Sequence, residues 1–254
     1  MPSETSPTAI SEVVRALDEL LDPGAFDDMG PNGLQVPGGE TVTRVVTGVS
    51  AQRELIERAV ALRAELVLVH HGLFWDFLGV GLSPTVAERV RPLFVHTIGL
   101  AAYHLPLDAH PEVGNNALLA GLLGCERHEA FADIGRLGEF PGEGIAAADL
   151  FARVSEVTRR EPLVFDAGPE RVRRIGIISG SVAKYLPQAV ALGLDAFLTG
   201  EPAEHVMADA PEAGIHFIAA GHYATETFGV RRLGDLLAER YGIEHVWVDI
   251  PNPI

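Results

Sequence analysis

The sequence predicts an α/β protein made of two similar lobes that are related by internal duplication. Valine-rich segments alternate with amphipathic segments, which is typical of parallel strands joined by crossover helices. Residues 172–202 also align with residues 42–72 without a gap, and the tetrapeptide AVAL is identical in both segments. Ligands of open α/β sheets bind at the carboxyl ends of the strands. We therefore expect a site in the cleft between two facing lobes.

The first lobe begins with a helix and a long loop. Apolar residues recur at helical spacing over residues 10–22, and Pro23 and Gly24 end this helix. Residues 27–39 are dense in turn formers and predict a loop. Pro106 excludes a helix through its own segment. The other predicted elements are, in chain order, a strand over 43–50, a helix over 51–64, a strand over 65–72, a strand over 99–108 and a helix over 114–124.

The second lobe repeats the order of the first. In the internal alignment Asp195 falls on Glu65, and Glu201 falls on His71. A joint between residues 125 and 165 gives lobes of 1–130 and 131–254, with an exchange of segments between them left open. The later elements of this lobe are a strand over 214–222, which resembles 99–104, and a helix over 228–242.

The charge balance and the cysteine count restrict the possible partners. The net charge of −16 argues against broad nucleic-acid binding and against anionic membranes. It does not exclude a small anionic substrate, because a bound metal reverses the local field. Cys125 is the only cysteine, so neither an intrachain disulfide nor a thiolate zinc cluster is expected. No signal peptide or membrane-spanning run is recognisable, and the sequence predicts a cytoplasmic protein.

Two adjacent histidines, His70 and His71, end the second predicted strand. On a regular strand, neighbouring side chains point to opposite faces, so one ring would lie in the core and the other in solvent. Gly72 allows the chain to turn, which would bring both rings to one cleft. The pair is therefore either a polar end of a strand or part of a metal site.

Two further segments carry side chains that bind metals. Asp108 follows an apolar strand and is either a metal ligand or a helix cap. His104 precedes it by four residues and is a ligand, a partner of a ligand or a core residue. His222 and Glu226 are four residues apart and share a face of any helix through them, which suits either a metal site or a surface pair.

Apart from His104, these segments together offer three imidazoles and two carboxylates without a thiolate. Such a set suits Zn, Fe, Mn, Co or Ni. Five ligands that include two bridging carboxylates indicate two divalent ions about 3.5–4 Å apart, which can deliver a metal-bound hydroxide near neutral pH. The sequence contains no P-loop, no dinucleotide fingerprint, no G-x-S-x-G elbow and no H-E-x-x-H.

Seven segments match one known family in order and in combination: PNGLQVPG, VTGVSAQ, VHHGLFW, YHLPLDAHPEVGNN, DAFLTGE, AAGHYATE and DIPNP. They resemble the YbgI-like, Nif-three-like dinuclear metal centre proteins, which are also described as homologues of the type 2 GTP cyclohydrolase I. The resemblance implies two divalent ions per chain and a hexameric ring. It also assigns the ligands, which are His70, His71, Asp108, His222 and Glu226.

The resemblance leaves the catalytic residues open. His104 matches a histidine that the family carries in H-T-N-L-D, whereas this chain has H-L-P-L-D. His104 and Glu201 are the candidates for a catalytic role. We expect a metal-dependent hydrolase, with GTP or another nucleotide as its substrate. The alternatives are a metal-binding regulatory or scaffold protein and a metal storage protein, both without turnover.

Overall fold

A computed structural model describes residues 7–254 and divides the chain into two compact units. Unit 1 comprises Met1–Leu107 and Val230–Ile250, and unit 2 comprises Asp108–Gly229 and Pro251–Ile254. These bounds differ from a single joint near residue 130, because the last strand of the chain pairs within the first sheet. The first six residues, on which the expected lack of a signal peptide partly depends, lie outside the described residues.

Unit 1 is built on a five-stranded sheet with the order β15-β4-β5-β6-β2. Strands β4, β5 and β6 are parallel. The connection through α2 agrees with the predicted crossover, whereas α3, which joins β5 to β6, was not predicted from the sequence. The elements of this unit are β1 (Thr8–Ala9), α1 (Ile10–Leu21), β2 (Gly33–Val36), β3 (Thr41–Val42), β4 (Arg44–Ser50), α2 (Arg53–Ala61), β5 (Leu66–His71), α3 (Pro84–Val95), β6 (Gly99–Ala102) and β15 (Glu244–Trp247). Short 3₁₀ turns lie at Pro23–Ala25 and Asp76–Leu78.

Two expectations about local structure are wrong. The predicted loop over 27–39 contains β2, which pairs antiparallel with β6 at the edge of the sheet. A four-residue edge strand with a bulge is too short to show a clear alternation among turn formers. The segment around Pro106 forms the short helix α4 (Leu105–Ala109). Pro106 occupies its first turn, where a missing N–H removes no hydrogen bond within the helix.

Unit 2 is built on a six-stranded sheet with the order β10-β14-β13-β12-β8-β7. Strands β12, β13 and β14 are parallel, and the other pairs are antiparallel. Its elements are α5 (Asn115–Leu122), β7 (Arg127–Phe131), β8 (Gly135–Glu139), β9 (Ile145–Ala146), α6 (Ala147–Thr158), β10 (Leu163–Phe165), β11 (Arg171–Val172), β12 (Arg174–Ile178), α7 (Leu186–Ala191), β13 (Ala196–Thr199), α8 (Val206–Ala213), β14 (His216–Ala219) and α9 (His222–Thr225). Helix α10 (Thr227–Tyr241) leads back into unit 1, and a 3₁₀ turn lies at Ala183–Tyr185.

Equivalent hydrogen bonds in the two units confirm the duplicated fold. The Glu65 carboxylate accepts the backbone N–H of Arg44 at 2.8 Å. In unit 2, the Asp195 carboxylate accepts the backbone N–H of Arg174 at 3.0 Å. Both pairs join the start of one central strand to the start of the next, 130 residues apart in the sequence. The repeat also reaches further than predicted, because α1 and α6 each follow a two-residue strand.

The central strands of both sheets are buried on both faces, as expected of parallel sheets covered by helices. In β5, the residues from Leu66 to His70 are all buried, and only His71 at its end is partly exposed. Buried strands thus deliver polar side chains at their carboxyl ends. Among the residues that the structure describes, none of the helices combines the length and apolar character that a membrane crossing needs.

Candidate metal centre

Three imidazoles cluster in unit 1 at the carboxyl end of β5. The ring centroids of His70 and His71 are 4.6 Å apart, so the two neighbours do not diverge as they would on a regular strand. The His104 ring lies 5.1 Å from His70 and 5.5 Å from His71. One ring nitrogen of each histidine lies within 4.8 Å of those of the other two. This spacing suits three ligands of one ion or of two neighbouring ions.

The rings of His70 and His71 are each held at Nδ1. Nδ1 of the fully buried His70 lies 2.9 Å from the backbone oxygen of Tyr103 and donates to it. Nδ1 of His71 lies 3.2 Å from the hydroxyl of Ser50, on the paired position of β4. A proton on Nδ1 leaves the lone pair of a neutral imidazole on Nε2. This is the arrangement of histidines that bind metals, because the second contact fixes the tautomer and the ring orientation.

His104 is held by the loop over 27–39. Its Nδ1 donates to Asp28 Oδ1 at 2.7 Å, and its backbone N–H donates to Asn32 Oδ1 at 2.7 Å. Burial alone would raise the pKa of Asp28, but the hydrogen bonds and charge of His104, together with the donors of Asn32 and Leu105, lower it to about 2. Sequence reasoning missed Asp28 and Asn32. The available signal was a pair of Asx residues, four apart, in a turn-rich segment that begins no helix.

We expect Asp28→Asn to remove a stabilising contribution that depends on pH. A carboxyl group whose pKa falls from 3.8 to about 2 on folding stabilises the folded state above pH 4 by about 2 kcal/mol. This contribution is lost as the pH falls from about 4 to about 2. Denaturant unfolding of wild type and variant should show a difference at pH 6 that becomes clearly smaller at pH 2.5. The exposed neighbour gives the control Asp27→Asn, and an equal loss in both variants would contradict the prediction.

Gly72 serves a different purpose from the one predicted. Its backbone is not in the left-handed region, so it makes no special turn. A Cβ at this position would lie 2.3 Å from the amide of Gln35, whose oxygen accepts the N–H of Leu73 at 2.8 Å. Gly72 therefore allows strand β2, which carries Gln35, to approach the end of β5.

Two buried carboxylates lie close together in unit 2. Asp108 and Glu226 are 3% and 2% exposed, and oxygens of their carboxylates lie within 4.8 Å of each other. Oδ1 of Asp108 accepts the amide N–H of Asn115 at 2.8 Å and the hydroxyl of Ser179 at 2.9 Å. These donors orient the carboxylate but bring no net positive charge. Two negative charges so close in a buried setting repel each other strongly unless a cation lies near them.

His222 begins α9 and lies between two carboxylates. Its Nε2 is 3.1 Å from Glu226, and its Nδ1 is hydrogen-bonded to Glu201. Burial lowers the pKa of His222, but both carboxylates raise it, and the net result is a pKa of about 9. In the metal-free protein, His222 is thus an imidazolium at neutral pH. A metal at Nε2 would replace that proton, and Glu201 would then hold the ring at Nδ1.

The glycine–serine turn after β12 lies directly against Glu226. Gly180 has φ +74°, and a Cβ at this position would be 2.7 Å from Glu226 Oε1. Its N–H donates to the Thr225 hydroxyl at 3.2 Å, and its carbonyl accepts the N–H of Gly200 at 2.8 Å. The turn therefore positions the residues around α9. It needs glycine both for the positive φ and for the close approach of its backbone to Glu226.

The donor sets of both units fit divalent metal ions. Unit 1 carries the imidazoles of His70 and His71, with His104 beside them, and unit 2 carries Asp108, Glu226 and His222. Nitrogen and oxygen ligands without thiolate suit Zn, Fe, Mn, Co or Ni. The buried carboxylate pair requires positive charge nearby, which the His222 imidazolium supplies in part in the metal-free protein. Nδ1 of His70 and of His104 donates to an oxygen acceptor, which leaves Nε2 of these rings as the atom for coordination or proton exchange.

Cys125 has no part in this chemistry. Burial raises the pKa of its thiol to about 12, although the charge of Arg153 lowers it slightly. At pH 8 the thiolate fraction is then roughly a thousandfold smaller than in an unperturbed cysteine. We expect a thiol reagent such as dithionitrobenzoate to react with the native chain about a thousandfold more slowly than with the chain in denaturant. Rapid reaction of the native protein would contradict this.

Known proteins resemble this chain over nearly its whole length. A sequence model of the Duf34/NIF3 (NGG1p interacting factor 3) family matches residues 8–253. A "GTP cyclohydrolase 1 type 2 homolog" of Pseudomonas aeruginosa is 45% identical over 254 residues, with 96% of this chain and 98% of the relative covered. A protein of the same name from Escherichia coli is 42% identical over 251 residues, with the same coverage.

Solved structures agree with the fold. The structure of "protein ybgI, unknown function" has a TM-score of 0.92 at 39% identity and covers 97% of this chain and 100% of its own. TTHA1606 from Thermus thermophilus has a TM-score of 0.90 at 37% identity, with the same coverage. The family match spans both units, including the segments that carry the histidines and carboxylates described above. The chain therefore belongs to the Duf34/NIF3 family.

Proposed function

We propose that this protein is a dinuclear metal-dependent hydrolase whose ions are bound by His70, His71, Asp108, His222 and Glu226. The burial of two carboxylates within 4.8 Å of each other supports this proposal most strongly. Two divalent ions would polarise an acceptor oxygen and lower the pKa of a water molecule. The names of the relatives suggest a nucleotide such as GTP as the substrate.

The remaining candidates take different roles in this proposal. Glu201 is a positioning residue, because it contacts only Nδ1 of His222 among the site residues. His104 is the group that transfers a proton, since Asp28 holds its Nδ1 and leaves Nε2 for exchange with a substrate. Its side chain is 15% exposed, which is compatible with access from a substrate.

Metal analysis together with a substrate screen tests the proposal. We expect about two ions per chain in metal-saturated protein, as in other two-metal sites. Nucleotide hydrolysis should be lost in Glu226→Gln together with metal, whereas His104→Gln should keep the metal and lose turnover. The control His205→Gln replaces an exposed histidine paired with Asp209 and should change neither.

Two outcomes would overturn the proposal. If protein incubated with saturating metal binds none, a metal-dependent reaction is excluded. Protein that binds metal but shows the same background turnover in wild type and in Glu226→Gln would favour a regulatory, scaffold or storage role. The hexameric ring implied by the resemblance belongs to the same proposal, and light scattering on the metal-loaded protein measures it.

A further inference from the structure

The rings of Trp75 and Phe77 form an aromatic wall beside the imidazole cluster of unit 1. The Trp75 ring meets His104 edge-on, with centroids 5.1 Å apart, and lies 6.0 Å from the His71 ring. On its other side Phe77 stacks on Trp75 at 5.9 Å with an interplanar angle of 20°. Phe77 is 71% exposed, although aromatic side chains of this size are normally buried. The wall therefore connects the histidines to an exposed apolar surface.

Trp75 of this wall lines a groove of about 340 Å³, a size that suits a small organic ligand. Other apolar residues that line it include Leu73, Phe74, Leu78 and Val86. Among the described residues that line it, the only charged side chain is the carboxylate of Asp76, and none is a lysine or arginine. The groove therefore suits a flat, uncharged ring with N–H donors and does not suit a phosphate group.

The wall is fixed in place before any ligand arrives. The indole N–H of Trp75 donates to the carbonyl of Gly72 at 3.2 Å. The N–H of Asp76 donates to the carbonyl of Met29 at 2.8 Å. A Cβ on Gly30 would lie 2.4 Å from the carbonyl of Phe74, so this glycine permits the loop to press against the wall. A ring that stacks here loses little additional freedom of the protein on binding, which favours affinity.

We propose that Trp75, supported by the stacked ring of Phe77, forms a stacking subsite for the base of a nucleoside or nucleotide, next to the metal centre. This inference rests on the proposed function, and it names the part of the substrate that the groove binds. A base in the groove would stack on Trp75, whose ring contacts His71 and His104, and its phosphates would lie outside the groove. Stacking on aromatic side chains tolerates any base, so the subsite selects a planar ring rather than one particular nucleotide.

Tryptophan fluorescence gives a direct test, because the chain has only two tryptophans, Trp75 and Trp247. Trp247 lies in β15 under the guanidinium of Arg231 and serves as the internal control. In Trp247→Phe, titration with guanosine should quench the remaining Trp75, and ribose 5-phosphate, which lacks a base, should not. In Trp75→Phe, guanosine should leave the emission of Trp247 unchanged.

The strength of binding gives the second readout. Trp75→Ala should weaken guanosine binding by about ten- to a hundredfold, the loss of one base–aromatic stack. Its metal content and its circular dichroism should match those of the wild type. Equal guanosine affinity in Trp75→Ala and wild type, with metal retained, would overturn the subsite and leave the proposed hydrolase intact. A change in self-association of Trp75→Ala without a change in guanosine affinity would overturn it in favour of a contact between copies.

Guanosine binding without metal binding separates the subsite proposal from the proposed metal-dependent reaction. Guanosine should still quench Trp75 in the double variant Trp247→Phe/Glu226→Gln, because the groove needs no metal. If quenching persists but wild-type protein binds no metal, the metal-dependent reaction fails while the base subsite stands. If quenching is absent in metal-free and metal-loaded protein alike, the subsite is wrong.

Discussion

Asp108→Asn is expected to abolish tight metal binding and, at the same time, to stabilise the metal-free protein. The asparagine oxygen can still accept from Asn115 and Ser179, so the local hydrogen bonds persist. The substitution removes one of two buried charges within 4.8 Å of each other. The His222 imidazolium already offsets part of this repulsion, so its relief should raise the free energy of unfolding in chelator by no more than about 1 kcal/mol.

Added metal should make the wild type more stable than Asp108→Asn, the reverse of their order in chelator. At a free metal concentration of about 100 times the wild-type Kd, bound metal adds about 2.7 kcal/mol to the wild type. A variant whose affinity is about a hundredfold lower gains only about 0.4 kcal/mol under the same conditions. Denaturant unfolding with and without metal measures both terms, and Asp149→Asn on the exposed face of α6 is the control. A variant that is less stable in chelator and binds metal normally would show that Asp108 has a purely structural role.

Gly180→Ala should lose metal affinity as well as stability. The residue has φ +74°, so any Cβ costs about 1 kcal/mol from the backbone alone. The added methyl group would also lie 2.7 Å from Glu226 Oε1. The carboxylate can move more easily than the backbone, so we expect Glu226 to be displaced from the position in which it binds metal. The loss of metal affinity should then exceed the 10–100-fold typical of residues that only support a ligand.

Gly193→Ala separates the two effects. Gly193 has φ +63°, and a Cβ there meets no heavy atom within 4 Å. This variant should lose about the same 1 kcal/mol of stability in chelator and keep wild-type metal affinity. Isothermal titration with Zn²⁺ or Mn²⁺ and denaturant unfolding of all three proteins provide the comparison. Equal metal affinity in Gly180→Ala and Gly193→Ala would show that Glu226 is not a ligand.

Helix and strand positions followed from the sequence wherever one periodic pattern dominated. Helix α1 lies within one residue of its predicted range, and the strands around Val46 and Leu68 lie where the valine-rich runs predicted them. The edge strand β2 and the short helix α4 were not predicted, because each is only four or five residues long. Such elements form through contacts with distant segments, which a local pattern does not encode.

The sequence by itself determined the family, the duplicated α/β fold and the chemical type of the candidate ligands. Those features are carried by ordered motifs and by residue types such as His70-His71 and Asp108. Their assignment as ligands of two ions stays a prediction. Only the tertiary structure decided which groups hold the imidazoles: Asp28 lies 76 residues from its partner His104, and Glu201 lies 21 residues from His222. Such partners depend on where the folded backbone brings distant loops together, and no spacing along the chain specifies that distance.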